Sequence, residues 1–196
     1  MAVLVVSWTA KYRDNGVPDA RQGRAGERMK VTQNRFVPAW RRKLLTLAVA
    51  SCFAGEFAYA NPTGPQVAHG QASIATQGNV LTVTNTPGTV INWQGFSIAS
   101  QEITRFLQQS AASTVLNRVV GVNPSTILGQ LQSNGRVFLI NPNGITIGQG
   151  ATIDVAGFLA STLNLSDPDF LAGRYRFTPS TGTGSVVNQG TINTPA

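Results

Sequence analysis

From Asn61 onward, the apolar residues of the chain come in short alternating stretches. Within a stretch, every second residue is apolar and most of the others are polar. This two-residue period is that of a β-strand with one buried face. The clearest stretches are residues 80–84, 137–139, 145–147, 153–155 and 163–165. The pattern predicts an all-β segment whose strands are only about three to five residues long.

Clusters of Gly and Asn separate these stretches and predict turns. The clusters are Ser133-Asn134-Gly135, Asn141-Pro142-Asn143-Gly144, Gly148-Gln149-Gly150 and Ala156-Gly157. The strands therefore recur about every eight to ten residues, a spacing that fits a β-sandwich or barrel. Strands this short, joined by Gly and Asn corners, favour the stacked coils of a parallel β-helix, whose apolar pairs point into a narrow core. A sandwich is the alternative.

The pattern is ambiguous over residues 99–120. The spacing of Ile103, Phe106 and Leu107 fits one helical turn, whereas residues 113–120 alternate as a strand does. The sequence leaves both interpretations open.

The stretch ahead of Asn61 has the organisation of a secretory signal peptide. Three cations at residues 41–43 precede an apolar run at residues 44–55, which is too short to span a bilayer. Ala58 and Ala60 then form an A-x-A cleavage signature. We therefore expect cleavage after Ala60, so that the mature protein begins at Asn61.

The signal peptide is predicted to cover residues 29–60, which places its start at Met29. Residues 1–28 are polar, basic and without period, and we interpret them as a non-native or disordered extension. Val49-Ala50-Ser51-Cys52 resembles a lipoprotein box, so acylation at Cys52 is the alternative processing.

Charge is distributed unevenly along the chain, whose net charge is +7. Residues 1–60 hold ten Lys or Arg and four acids, whereas residues 61–196 hold five Arg, no Lys and four acids. Since the positive excess lies on a segment predicted to be removed, we expect no nucleic-acid partner. The mature segment has no Cys and one His, His69, so neither a metal site nor a cofactor is expected.

Three sequence blocks of the mature segment resemble those of one family. The first is Ile91-Asn92-Trp93-Gln94-Gly95-Phe96-Ser97-Ile98; the second, residues 115–145, ends in Asn141-Pro142-Asn143-Gly144-Ile145; the third is residues 157–177. Together they are similar to the filamentous-haemagglutinin-like N-terminal domain of two-partner secretion exoproteins, also called the haemagglutination activity domain, over about residues 66–193. The family's upstream NPNL motif is represented only by Asn123-Pro124-Ser125-Thr126. This departure resembles the branch of the family that keeps NPNGI alone.

The resemblance implies a right-handed parallel β-helix with an N-terminal capping strand region. It also implies a cognate outer-membrane β-barrel transporter with periplasmic POTRA domains as the partner. Such an exoprotein crosses the periplasm of a Gram-negative bacterium, meets the membrane only during export, and folds progressively outside, where it is secreted or kept on the surface. A Cys-free solenoid suits this route, because its coils can fold one at a time as they emerge.

The motif residues have structural as well as functional interpretations. Asn141, Pro142, Asn143, Gly144 and Ile145 are expected to form a tight corner whose shape the transporter recognises. Asn92, Trp93 and Phe96 are interpreted as cap or core residues.

Other polar residues are given structural interpretations. We interpret Asp167-Pro168-Asp169 as a turn rather than a calcium site. Glu102 and Arg105 are expected to pair loosely at the surface, and His69 to be solvated.

No catalytic residue is predicted, since no histidine lies near an acid cluster in sequence. Two other functions remain as alternatives: a free-standing surface adhesin that binds host cells or glycans, and a β-helix enzyme acting on polysaccharide. Because the repeat pattern continues to the last residues, we expect residues 61–196 to be part of a longer exoprotein, whose distal region would carry receptor binding.

Overall fold

The computed structural model describes residues 4–6 and 61–194 of the 196-residue chain. Except for the three residues at 4–6, the predicted extension 1–28 lies outside the described residues. So does the predicted signal peptide, with Cys52, Ala58 and Ala60. The described residues contain a short helix, α1 (Asp167–Leu171), and fifteen strands. The strands are β1 (Leu4–Val6), β2 (Gln66–His69), β3 (Ala72–Gln77), β4 (Val80–Asn85), β5 (Thr89–Trp93), β6 (Ile103–Leu107), β7 (Thr114–Val119), β8 (Ser125–Ile127), β9 (Gln130–Ile140), β10 (Ile145–Ile147), β11 (Thr152–Ser161), β12 (Asn164–Leu165), β13 (Phe177–Thr178), β14 (Val186–Asn188) and β15 (Thr191–Asn193).

Parallel pairing between successive coils builds three faces. The first face stacks β4, β6, the first part of β9, the first part of β11 and then β15. The second face stacks β5, β7 and the second parts of β9 and β11, with β1 paired beside β11. The third face stacks β8, β10 and β14. These faces enclose a β-solenoid of about four turns, which confirms the predicted parallel β-helix and excludes the sandwich.

Antiparallel strands cover the first coil. β2 pairs with β5, and β3 pairs with β4 as a hairpin, so the first coil is flanked by strands that are not part of the helical stack. The predicted N-terminal capping strands are therefore present. Within the described residues, no helix is long and apolar enough to cross a membrane.

The inward positions of the coils stack residue upon residue to form the core. On the second face, for example, Ile91, Asn117, Leu139 and Ala160 share one register, and all four are fully buried or nearly so. The alternation seen in the sequence thus points every second residue of a strand into the interior, and most of these inward residues are apolar.

Two predicted turns are wrong, because β9 and β11 run through them. β9 has eleven residues and β11 has ten, instead of the three to five expected. Asn134 and Gly135 together oppose the single residue Ala156 between two paired segments. The extra residue bends the strand pair at the corner between the first and second faces without ending it. The turns at residues 141–144 and 148–150 are confirmed.

Segment 99–120 contains the strands β6 and β7, joined by a turn, and no helix, which removes the helical alternative there. The turn predicted at Asp167 is also wrong, because this segment begins α1. Ser166 caps the helix, its side chain accepting from the Asp169 backbone N–H, and Pro168 lies in the first turn, where a missing N–H costs nothing.

Candidate recognition site at the NPNG corner

The chain turns from the second face to the third at one corner of each coil. In the first three coils these corner loops are residues 94–97, 120–124 and 141–144; we call the three together the corner ridge. The loops lie almost in contact: a Cβ on Gly121 would meet the Gln94 carbonyl oxygen at 1.9 Å. The backbone of this ridge is therefore closely packed, and Gly121 is required by its neighbour rather than by a turn.

Asn141, the first residue of the third corner loop, has no exposed surface. Its Nδ2 donates to the Asn123 carbonyl oxygen at 3.1 Å and to Ser125 Oγ at 2.9 Å, and its Oδ1 accepts from the Asn143 N–H at 3.0 Å. Asn143 is half-buried, and its Nδ2 donates to the Gly121 carbonyl oxygen at 2.9 Å. The amides of the motif thus point into the protein and hold loop 120–124 of the preceding coil.

The rest of the motif shapes the corner. Gly144 has a φ of 115°, a region that side chains with a Cβ avoid, and its carbonyl oxygen accepts from the Ser125 N–H at 2.9 Å. Pro142 is half-buried, and Ile145 begins β10 with a fully buried side chain. The five motif residues therefore lie together in one corner, where they contribute backbone geometry and internal hydrogen bonds.

The structure places the other predicted motif inside the protein. Trp93 and Phe96 are buried and meet edge to face, with ring centroids 5.7 Å apart. Trp93 Nε1 donates to Asn117 Oδ1 at 2.9 Å, and Asn92 Oδ1 accepts from Arg118 at 3.2 Å. Neither aromatic ring is available at the surface.

Asn117 was missed by the sequence analysis. It occupies an inward position of β7 with no exposed surface, and besides accepting from Trp93 it donates to the Phe138 carbonyl oxygen at 3.3 Å. A polar residue at an inward position of an otherwise apolar strand is the signal that could have identified it.

A second apolar cluster covers the outside of the second face. Val90, Leu116, Phe138 and Leu159 form an outward column, which residues 162–180 cross; we call this segment the strap. The ring centroids of Phe170 and Tyr175 in the strap lie 5.7 and 5.1 Å from that of Phe138.

Arg118 joins the strap to the second face. It donates to Asp167 Oδ1 and to the Leu165 carbonyl oxygen, each at 2.6 Å. The strap is therefore held by a polar anchor as well as by its aromatic rings.

The acids of α1 are paired with cations. Asp167 pairs with Arg118, and Asp169 pairs with Arg174 at 3.1 Å. The hydrogen bond from the Ser166 hydroxyl, followed by that from Arg174, holds the pKa of Asp169 below its usual value. Among the residues that the structure describes, no group of three His, Cys, Asp or Glu could hold a metal ion.

The predicted surface pair of Glu102 and Arg105 is wrong. Glu102 is buried and its Oε2 accepts from the Ala99 N–H at 2.9 Å, whereas Arg105 Nε donates to Gln132 at 3.0 Å. Glu102 immediately precedes β6 and is buried, whereas Arg105 lies within β6 and is half-buried, so the two do not form a pair at the surface. His69 is exposed on β2, with Nδ1 3.4 Å from the Gly88 carbonyl oxygen.

Comparison with known proteins matches residues 58–196 to the family model described as the TPS secretion domain. Two relatives are heme/hemopexin-binding proteins of Haemophilus influenzae. One is 36% identical over 160 residues, covering 78% of this chain and 18% of the relative; the other is 41% identical over 100 residues, covering 51% and 11%. This chain therefore spans less than a fifth of the length of these relatives.

A solved structure is similar as well. The crystal structure of the HMW1 secretion domain from Haemophilus influenzae aligns with a TM-score of 0.66 and 41% identity, over 67% of this chain and 36% of that one. Sequence and structure comparisons agree with the family resemblance seen in the three sequence blocks.

Proposed function

Because the chain belongs to the TPS secretion domain family, we propose that its β-helix is the part of a two-partner exoprotein that a cognate outer-membrane transporter recognises. The transporter would bind it through periplasmic POTRA domains and pass the exoprotein to the outside. The observation that carries this proposal is the match of the family model to residues 58–196.

The geometry of the corner ridge supports a role for the NPNGI motif in that recognition. The side chains of Asn141 and Asn143 donate hydrogen bonds to backbone carbonyl oxygens of loop 120–124 and so fix its position. Gly144 supplies a backbone conformation that other residues avoid. A surface held this firmly loses little conformational entropy when a partner binds it. We infer that the motif acts by giving the corner its shape.

We further propose the route and the domain organisation. Residues 29–60 would direct export across the inner membrane and be cleaved after Ala60, and residues 1–28 would not belong to the functional precursor. Residues 61–196 would then form the secretion domain without β1, the strand that pairs with β11 in the full chain. The product would then pass from the periplasm to the surface or medium of a Gram-negative bacterium. The family supports this route, since it consists of secretion domains of exoproteins.

The names of the two relatives suggest what the whole exoprotein does. Both are heme/hemopexin-binding proteins, and this chain corresponds to less than a fifth of each. We propose that an exoprotein carrying this domain binds heme or hemopexin through regions beyond it, without catalysis in the domain itself. Binding of heme or hemopexin thus replaces binding of host cells or glycans as the first proposed activity of the whole exoprotein.

A secretion assay tests the proposal. The full chain is co-expressed with its cognate two-partner transporter, and its amounts in medium and periplasm are compared for wild type, Asn141→Ala and Asn143→Ala. Asn164→Ala, at an exposed asparagine of the strap, is the matched control. We expect both corner variants to accumulate in the periplasm and the control to be exported normally. Normal export of both corner variants would remove the motif from the recognition role.

A further inference from the structure

Loop 120–124 of the corner ridge exposes two apolar side chains. Val122 is 85% exposed and Val120 is 51% exposed, the two highest values among the large hydrophobic residues of the described chain that lie at the surface. A single exposed valine needs no explanation, but two on one loop form a small apolar projection.

This projection is held rigidly. The side chains of Asn141 and Asn143 donate hydrogen bonds to backbone carbonyl oxygens of this loop. The Val120 N–H donates to the Trp93 carbonyl oxygen at 2.8 Å. Gly121, between the valines, lies so close to Gln94 that no larger residue fits. The exposure of Val122 therefore belongs to one fixed loop conformation.

The surroundings of the loop are uncharged. Residues 94–97, 120–124, 141–144 and 181–185 contain no Asp, Glu, Lys or Arg. Arg118, the charged residue nearest in sequence, is turned to Asp167 and the strap. A partner that fits this surface must offer an uncharged, apolar contact, since a charged one would lose its hydration without finding a counter-charge.

We propose that Val120 and Val122 are the side chains that the transporter contacts, through an uncharged apolar groove on its POTRA domains. The asparagines of the motif are then positioning residues: Asn141, having no exposed surface, acts through the loop that it holds. This inference rests on the proposed function and names the surface through which that function works.

The decisive variant is Val122→Asp, which places a charge on the projection without touching the bonds beneath it. Val122→Ile is the conservative variant. Val187→Asp is the matched control, because Val187 is a 39% exposed valine on β14 of the third face. All three changes are at surface positions, so their thermal unfolding should match that of wild type, which circular dichroism checks.

Binding of the purified full chain to the isolated POTRA domains of the cognate transporter is measured by titration calorimetry at low and high salt. We expect Val122→Asp to weaken binding at least about tenfold, as expected for placing a charge in a desolvated apolar contact. Val122→Ile and Val187→Asp should bind within about twofold of wild type, and wild-type affinity should change little with salt, because the surface is uncharged.

The outcomes separate the two proposals. If the wild-type chain does not bind the POTRA domains, the proposed function is overturned. If it binds and Val122→Asp binds equally well, only the valine surface is overturned. Equal weakening by Val187→Asp, or strong loss of wild-type binding at high salt, would also overturn it. If Val122→Asp keeps its affinity and Asn141→Ala loses it, the transporter contacts the motif loop itself and not the valines.

Discussion

Asn141→Ala should destabilise the fold more than Asn143→Ala, the other asparagine truncation in the motif. The change removes three hydrogen bonds, to Asn123, Ser125 and Asn143. Ser125 is fully buried, so its hydroxyl would lose its partner without access to water, which costs about 1–3 kcal/mol. Asn123 is exposed and Asn143 half-buried, so water can replace those bonds at about 0.5–1 kcal/mol each.

The free energy of unfolding should therefore fall by about 3 kcal/mol. Asn143→Ala removes one side-chain bond to a half-buried carbonyl, that of Gly121, and should cost only about 1 kcal/mol. Asn164→Ala, at an exposed position without such bonds to the ridge, should stay within about 0.5 kcal/mol of wild type. The order of the three variants follows from the number of hydrogen bonds that each change removes and from the burial of their partners.

Urea unfolding of the purified chain, followed by far-ultraviolet circular dichroism, measures these differences. Hydrogen exchange adds a local reading, since the Asn143 N–H loses its acceptor when Asn141 is truncated. A stability of Asn141→Ala within about 0.5 kcal/mol of wild type would refute the reasoning. So would a larger cost for Asn143→Ala than for Asn141→Ala.

Three further predictions concern Trp93, Phe170 and Asp169. Trp93→Phe leaves the fully buried Asn117 Oδ1 without its donor and should lower the unfolding free energy by about 2 kcal/mol in the same urea experiment. Phe170→Ala empties the contact between strap and outward column; it should cost about 3 kcal/mol and make the strap the first site of limited proteolysis. The lowered pKa of Asp169 stabilises the fold above the unfolded pKa of about 3.9, and that stabilisation is lost as pH falls through the lower folded value. Unfolding curves of wild type and Asp169→Asn should therefore converge as the pH is lowered below about 4, whereas a constant difference down to the lowest pH would contradict the role of the Ser166 hydrogen bond.

Most of the fold could be predicted from the local pattern of residues in the sequence. The alternation of apolar and polar residues predicted the strands of the coils, because each coil repeats the same inward register and needs no distant partner to define it. The Pro and Gly of residues 141–144 predicted the corner in the same way, since a tight turn depends on the conformations of its own four residues.

The wrong predictions depend on contacts between distant residues. Ser133-Asn134-Gly135 has the composition of a turn, yet pairing with β11 keeps it inside β9. Asp167-Pro168-Asp169 also fits a turn, but Phe170 packing on Phe138 and the Arg118 anchor support a helix there. The residue pattern within each of these two segments does not show which distant residues it will pack against.

The candidate site was predicted only in part. The motif could be located from its own residues, but nothing in its sequence shows that Asn141 is buried or that its amide reaches back one coil to Asn123. The exposure of Val122 runs against its residue type. Both features arise from the close stacking of successive corner loops, which only the folded chain reveals.

Deleting the transporter gene tests the central claim most directly. The amount of the chain in the medium and in the periplasm is measured by immunoblot in the parent strain, in the deletion strain and in the deletion strain carrying the gene on a plasmid. We predict that the chain is cleared from the periplasm in the parent, accumulates there without the transporter, and is exported again when the gene is restored. Unchanged export in the deletion strain would contradict the account.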